Sequence, residues 1–427
     1  MQVTIVGAGI GGLTAALSLH AAGISCRVYE AAAQLRPLGV GINVLPHAVK
    51  ELEDLGLLSA LEAAGVLTRE VVYATRGGDI IWREPRGRLA GYRWPQVSIH
   101  RGTLQMLLHD AVLARMGPDA VVPDHQAVDV SSTGERATVR FQRRSDGAAL
   151  PPVESDLVIA ADGIHSAIRA RFFPNEGPPK WGGMILWRGT TLARPFLSGA
   201  TMAISGNAKT KFVCYPIRQL DDGRQLINWI ADVADQAEGF RTVTDWNRKG
   251  SREAFLPYYA DWSREVLDIP ALVNATETIY EYPMSDRDPL PGWVFGRVVL
   301  LGDAAHAMYP IGSNGAAQAI LDARRLALEL ATREGVDEAL TAYDAARRPA
   351  MTGLLQAHRA EGADVILDMV EERAPGGYDD LETVLPMAER EAIALAYKRK
   401  AGFDLQALNA SPPMTPPAVL AARSRYR

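Results

Sequence analysis

The chain begins with a strand, a glycine-rich turn and a helix, and no other feature constrains its fold as strongly. Gln2-Val3-Thr4-Ile5-Val6 is a β-rich run that leads directly into Gly7-Ala8-Gly9-Ile10-Gly11-Gly12. Leu13, Ala16, Leu17 and Leu19 then recur at helical spacing, and Gly23 stops the helix. A second strand, Cys26-Arg27-Val28-Tyr29, ends at Glu30. Strand, GxGxxG, helix, strand and acid within about thirty residues form a βαβ unit of the dinucleotide-binding kind. Gly7 permits the tight turn, Gly9 lets the backbone approach a pyrophosphate, and Gly12 lets the helix pack closely on the strand. The unpaired N–H groups of the helix's first turn face the phosphates. Glu30 is placed to accept hydrogen bonds from an adenosine ribose, which favours a free 2′-hydroxyl, as in FAD or NAD, over NADP. The unit alone does not separate NAD from FAD.

Two later strand ends bear on that choice. Asp156-Leu157-Val158-Ile159-Ala160-Ala161 runs into Asp162-Gly163, and Arg297-Val298-Val299-Leu300-Leu301 runs into Gly302-Asp303. Both apolar runs read as buried parallel strands, and ligands of such sheets bind at the carboxyl ends of the strands. After Asp303, the stretch Tyr309-Pro310-Ile311-Gly312-Ser313-Asn314-Gly315 opens a long helix, with Asn314 as a candidate cap. A helix N-terminus here directs partial positive charge at an acceptor such as the N1–C2=O edge of a reduced flavin.

Composition excludes other classes. Hydrophobic residues are 48% and charged residues 22% of 427, as in ordinary globular enzymes, and the net charge of −5 carries no basic stripe for nucleic acid. Two cysteines, Cys26 and Cys214, sit in apolar strand-like stretches, so they read as buried thiols and not as a disulfide framework or a metal site. No stretch of eighteen or more apolar residues and no leader-like segment is present, so the expectation is a cytoplasmic protein with no membrane partner, as monomer or homodimer.

The middle of the chain alternates. Glu70 to Thr75, Met184 to Trp187, Lys211 to Tyr215 and Gln225 to Trp229 read as strands of a mainly antiparallel sheet, and Thr133-Gly134 as the turn of a hairpin. Aromatic residues gather here, among them Trp181, Trp187, Phe212, Tyr215, Trp229 and Trp246. They suit either a sheet core or a flat aromatic ligand. His100, His165 and His306 border motifs without any catalytic or metal-ligand spacing and read as structural.

With these residues in hand, the chain resembles the FAD-dependent aromatic hydroxylases of the p-hydroxybenzoate hydroxylase type, and most closely their phenazine-modifying branch. The stretches that carry the resemblance are Arg36 to Asn43, Ser98 to Gln105, Trp187-Arg188-Gly189, Asp245-Trp246-Asn247-Arg248, Tyr282 to Pro291 and Leu301 to Asp322. It covers residues 1 to 350 and fades after Arg347-Arg348-Pro349. The resemblance implies an α/β fold, with a Rossmann-like FAD-binding domain in three pieces (1–70, 98–175 and 286–348). An interleaved antiparallel-sheet substrate domain (71–97 and 176–285) and a helical C-terminal region (349–427) complete it.

The resemblance also implies site roles. FAD would be bound by Gly7, Gly9, Gly12, Glu30, Arg36, Arg101, Gln105, Asp162, Gly163, Gly302, Asp303 and Asn314, with Pro310, Gly312 and Gly315 along the isoalloxazine. Trp187, Arg188, Tyr215 and Trp229 are the candidates for a substrate pocket. The implied activity is an NADH- or NADPH-consuming monooxygenase that uses O₂ and a C4a-hydroperoxyflavin to hydroxylate an aromatic or N-heteroaromatic small molecule, with or without a carboxylate. The chemistry is the cofactor's own, so no side chain is assigned as catalytic. There is no second GxGxxG unit for NADPH and no Trp-x-Trp pair of the halogenase kind. A flavin reductase or oxidase without oxygen insertion, and a non-catalytic flavin-binding module, are the alternatives.

Overall fold

Parallel strands buried on both faces need apolar residues throughout, and the first strand and its neighbours supply them. In the computed structural model, which describes residues 1–37, 39–234, 248–262, 267–360 and 362–415, Leu157–Ala160 has no exposed surface. It lies between Gln2–Val6 and Val298–Leu300, parallel to both. The full order is Val294–Phe295, Val298–Leu300, Leu157–Ala160, Gln2–Val6, Ser25–Tyr29 and Val121–Val122, with only the first pair antiparallel. The carboxyl ends at Val6, Ala160 and Leu300 therefore stand side by side, although they are far apart in the chain.

A second sheet of seven strands takes the middle of the chain. Its order is Ile279–Asp286, Lys180–Ala193, Gln225–Ala234, Thr210–Gln219, Thr201–Gly206, Glu70–Ala74 and Ile80–Pro85. All neighbours are antiparallel except Thr201–Gly206 with Glu70–Ala74. Side chains alternate between its faces. Trp187, Phe212, Cys214 and Trp229 point to one face, into a core with Phe255, Tyr259 and Leu272. Leu186, Val213, Tyr215 and Ile230 point to the other, packed with Tyr73 and Ile204. Gln126–Thr133 and Arg136–Gln142 form the hairpin, which turns at Gly134-Glu135, one residue beyond the expected Thr133-Gly134, with Val153–Ser155 as a third strand.

The C-terminal helices bridge the two sheets. Tyr397, Ala401 and Phe403 join the core of the parallel sheet, while Ile366, Leu367 and Leu385 pack on the second sheet. Among the described residues no helix is long and apolar enough to cross a membrane, and no cluster of metal-ligating side chains occurs. Both cysteines are free and buried, and burial pushes the Cys26 thiol up to about 12. The Asp245-Trp246-Asn247 stretch and the tail from Pro416 on lie outside the described residues.

Candidate active site

The three strand ends make one groove. Gly7 adopts φ +102°, and a Cβ there would collide with the backbone of Ala161 on the neighbouring strand end. Gly9 precedes the helix Ile10–Ala21, whose N-terminus no side chain caps, and a Cβ on Gly9 would meet nothing within 4 Å. Unpaired helix N–H groups facing open space form a cradle for an anion, which fits a pyrophosphate. Glu30 sits at the end of the second strand. Its carboxylate accepts from Ala8 N at 2.7 Å and from Ala32 N at 2.8 Å, so the glycine turn and the acid are locked together.

The helix Arg101–Met116 borders the same groove. Gln105 Nε2 donates to the Ala8 carbonyl at 2.8 Å. Arg101, one turn earlier, is exposed and has no ion-pair partner among the described residues. Arg36 is also exposed and donates to Gln34 Oε1 at 3.1 and 3.2 Å. Asp303, exposed at the end of Val298–Leu300, makes no hydrogen bond or ion pair among the described residues, and Gly302 before it takes φ +61°. These residues fit FAD: open backbone donors for phosphates, a free carboxylate for hydroxyls and a free guanidinium beside them.

Two of the residues expected at the cofactor turn their side chains elsewhere. Asp162 accepts from Ser166 Oγ at 2.6 Å and Ile168 N at 3.3 Å, so its carboxylate ties down the start of the helix Ala167–Phe172. Burial raises its carboxyl above the ordinary range. What Asp162-Gly163 offers the groove is backbone, with Gly163 at φ +81°. Asn314 does not cap Gly315–Thr332: it already has helical φ and ψ, and it is fully buried. Its Nδ2 donates to the Gly312 carbonyl at 3.1 Å and to the Tyr397 hydroxyl at 2.6 Å.

Facing the groove, a cavity opens between the second sheet and the Pro310–Ser313 loop. Its walls include Tyr73, Arg86, Leu186, Met202, Val213 and Ile230. That mostly apolar lining with a few charged groups at one end suits an aromatic ring carrying polar substituents. Trp187 and Trp229 do not line it; the expectation that they form the pocket is corrected by strand parity. Trp187 donates to Glu281 at 3.0 Å and stacks on Phe255, and Trp229 donates to Thr276 at 2.9 Å, all on the far face. Arg188 and Tyr215 lie on the near face but grip the backbone of Gly41, donating to its carbonyl at 3.1 and 2.9 Å. Asn228 completes the clamp by accepting from Gly41 N at 2.6 Å.

The polar end of the cavity comes from residues that motif reading missed. Lys211 Nζ lies 2.8 Å from Asp364 and 3.8 Å from Asp232. Asp232 is 5% exposed, and its Oδ1 has no hydrogen-bond partner among the described residues. Burial drives its carboxyl up to about 6, against the pull of Lys211 and Arg188 and with the push of Asp364. Arg86 pairs with Glu84 at 2.9 Å while its Nε finds no partner among the described residues. One sequence signal was available: Lys211 and Asp232 share strand parity with Val213, Tyr215 and Ile230, so they are charges on a buried face. His306, in contrast, is structural and bound to Asp322 at 2.5 Å.

Comparison with known proteins shows the family. A family model described as FAD binding domain matches residues 1–358. Phenazine 1,6-dicarboxylic acid hydroxylase PhzS of Lysobacter antibioticus is 46% identical over 362 residues, 84% of this chain and 89% of that protein. The 6-hydroxynicotinate 3-monooxygenase of Pseudomonas fluorescens is 30% identical over 338 residues, 76% of this chain and 81% of that one. Among solved structures, Klebsiella pneumoniae HpxO complexed with FAD and uric acid superposes with a TM-score of 0.73 at 25% identity, covering 96% of this chain and 97% of that one. A salicylate hydroxylase substrate complex shares the fold, with a TM-score of 0.72 at 21% identity over 97% and 98% of the two chains. The chain belongs to the FAD-binding-domain family and is an FAD-dependent monooxygenase.

Proposed function

We propose that the enzyme hydroxylates an N-heteroaromatic or aromatic acid in the cavity above the Pro310 loop, with NAD(P)H as reductant and O₂ as oxygen source. The observation that carries this reading is a walled cavity whose floor is the same Pro310–Ser313 segment that follows the Gly302-Asp303 strand end. Bound FAD supplies the redox chemistry, passing electrons from NAD(P)H to O₂ and one oxygen atom to the ring. The chain's residues bind, orient and exclude water. Gly7, Gly9 and Gly12 would hold the pyrophosphate, Glu30 the adenosine ribose and Asp303 the ribityl hydroxyls. Arg101 and Gln105 would lie along the phosphate and ribityl portion, with Arg36 at its outer edge. Pro310, Gly312 and Gly315 would border the isoalloxazine.

The substrate reading follows from unpaired polar atoms on the walls. Among the described residues, Arg86 Nε is a buried donor without a partner and Asp232 Oδ1 a buried oxygen without one. A ring carrying an acid for the guanidinium and an N–H, O–H or protonated acid for Asp232 satisfies both. The names of the relatives fit that class: phenazine 1,6-dicarboxylic acid for the one and 6-hydroxynicotinate for the other.

The test is product analysis under ¹⁸O₂ with phenazine-1,6-dicarboxylate, 6-hydroxynicotinate and 3-amino-4-hydroxybenzoate. The expected result is one labelled oxygen in at least one product and NAD(P)H oxidation that rises with that compound. Hydrogen peroxide formed one-for-one with NAD(P)H, whichever ring is supplied, supports a reductase or oxidase instead.

A pH dependence follows as well. Asp232 is neutral below about 6 and anionic above it, facing Lys211 and Arg188 as cations and Asp364 as an anion. An anionic ring acid that offers Asp232 no N–H or O–H meets less repulsion at low pH, so its KM is expected to rise by roughly tenfold, about 1.4 kcal/mol, as pH climbs through that value. Asp232→Asn is expected to hold KM low and level across the same range. A wild-type KM that ignores pH between 5 and 8 removes Asp232 from the substrate's surroundings.

A further inference from the structure

The matched family segment ends at residue 358, yet the loop that floors the cavity is held from beyond it. Gly312 and Ser313 adopt φ +64° and +61°, two left-handed residues in succession. A serine in that region is strained, so the conformation persists only if its surroundings impose it. Asn43 contributes from one side, its Nδ2 donating to Ser313 Oγ at 3.3 Å.

Tyr397, in the helix Met387–Ala401, contributes from the other side. Its hydroxyl accepts from Asn314 Nδ2 at 2.6 Å and lies 3.1 Å from His358 Nε2 and 3.4 Å from the Ile311 carbonyl. Burial lowers His358 to about 4, so the imidazole is neutral at pH 7 and its unprotonated nitrogen can accept a hydrogen bond from the Tyr397 hydroxyl. A Cβ on Gly312 would overlap the Tyr397 hydroxyl, so loop and phenol are in van der Waals contact with no room between them. Tyr397 also borders the cavity.

We propose that Tyr397 is the positioning residue of the flavin-facing loop, through which the C-terminal helices set how FAD is held. The inference rests on the reading above that Pro310 to Gly315 border the isoalloxazine. It gives the region after residue 358 a task within the active site, beyond covering the two sheets.

The experiment uses the full chain, stripped of flavin and titrated with FAD. Tyr397→Phe removes one oxygen and leaves Asn314 Nδ2 with the Gly312 carbonyl but without its 2.6 Å acceptor. FAD affinity is expected to fall about five- to tenfold, the effect of one buried hydrogen bond, and the absorbance maximum of the bound flavin to shift. Asn314→Ala cuts the same bond from the loop side, so the double variant is expected to lose no more than the greater single loss. Should Tyr397→Phe fail to fold, Asn314→Ala alone reads the same fall and the same spectral shift. Arg373→Ala breaks the Arg373–Glu389 pair elsewhere in the C-terminal helices and is expected to leave FAD binding unchanged.

Unchanged affinity and an unchanged flavin spectrum in Tyr397→Phe overturn the inference, as do strictly additive losses in the double variant. An equal loss in Arg373→Ala also overturns it, since general loosening of the C-terminal helices then accounts for the effect. Wild-type protein that takes up no FAD overturns the functional reading instead.

Discussion

Gly12→Ala is expected to yield protein that purifies without flavin and binds added FAD at least a hundredfold more weakly than wild type. A Cβ at this position overlaps the Gly7 carbonyl oxygen and stands 3.4 Å from Ala161 Cβ. Neither obstacle is the free end of a flexible side chain. Gly7 N donates to the Tyr29 carbonyl at 2.8 Å, and Gly7 itself presses on Ala161, so the turn cannot move without displacing two strand ends. The substitution therefore damages both the fold of the turn and the cradle built from it. Gly9→Ala separates the two effects. No protein atom lies within 4 Å of a Cβ there, so the melting temperature of the apoprotein is expected to stay close to wild type. FAD binding is expected to fall steeply all the same, because the methyl group occupies the space the pyrophosphate needs. Thermal melts of the apoproteins paired with FAD titrations check both variants. A Gly9→Ala protein that binds FAD as tightly as wild type would show that the open space is not the phosphate site.

The second large effect is expected at Asp322. This carboxylate is fully buried, accepting from Gly302 N at 3.1 Å, His306 Nε2 at 2.5 Å and Arg347 Nε at 2.6 Å. Asp322→Ala leaves the partly buried Arg347 guanidinium without its counter-charge and the buried His306 imidazole without its acceptor, and a loss of about 3–5 kcal/mol in unfolding free energy is expected. The variant also releases Gly302, the residue that orients Asp303 at the groove, so flavin content is expected to fall with stability. Burial acts to raise the Asp322 carboxyl, but the facing His306 and Arg347 outweigh it and hold the group at about 2. A depressed carboxyl stabilises the fold above its unfolded value near 3.8 and loses that contribution as pH falls toward 2. Two units correspond to roughly 2–3 kcal/mol. Urea unfolding of wild type and Asp322→Asn at pH 5 and pH 2.5 is expected to show the gap between the two narrowing at the lower pH. A gap that stays constant would mean that the carboxylate's charge is not what the site uses.

The parts legible in the sequence are those whose neighbours in space are also neighbours in the chain. Gly7 to Gly12 and Glu30 announce a nucleotide-binding βαβ unit because turn, helix start and acid must follow one another at short range. Apolar runs such as Leu157 to Ala160 announce buried strands because burial on both faces demands a continuous apolar stretch. Asn314 and Asp162 show the limit of the same reasoning. Each stands where local pattern suggests a cap or a ligand. In the fold, Asn314 is drawn to Tyr397, and Asp162 to Ser166 and the backbone of Ile168.

The aromatic residues of the second sheet make the point from the other side. Trp187 and Trp229 have the composition of a pocket and occupy the wrong face, while Lys211 and Asp232, one strand step out of phase with their aromatic neighbours, have the right one. Period-two alternation says which residues share a face but not which face meets the cavity, and that is fixed only when sheet and loop are packed together.

The same distinction applies to the groove and cavity as a whole. By itself the sequence determined a nucleotide-binding α/β fold, its three glycine-acid strand ends and, through family likeness, FAD-dependent oxygenation. Local sterics and hydrogen bonding require those residue types at those spacings. Only the tertiary structure decided that Lys211, Asp232, Asp364 and Arg86 gather at one cavity and that Tyr397 holds its floor. These residues lie on strands and helices separated by up to several hundred positions. Their meeting depends on sheet register and on how the C-terminal helices fill the space between two sheets, and no local pattern encodes either.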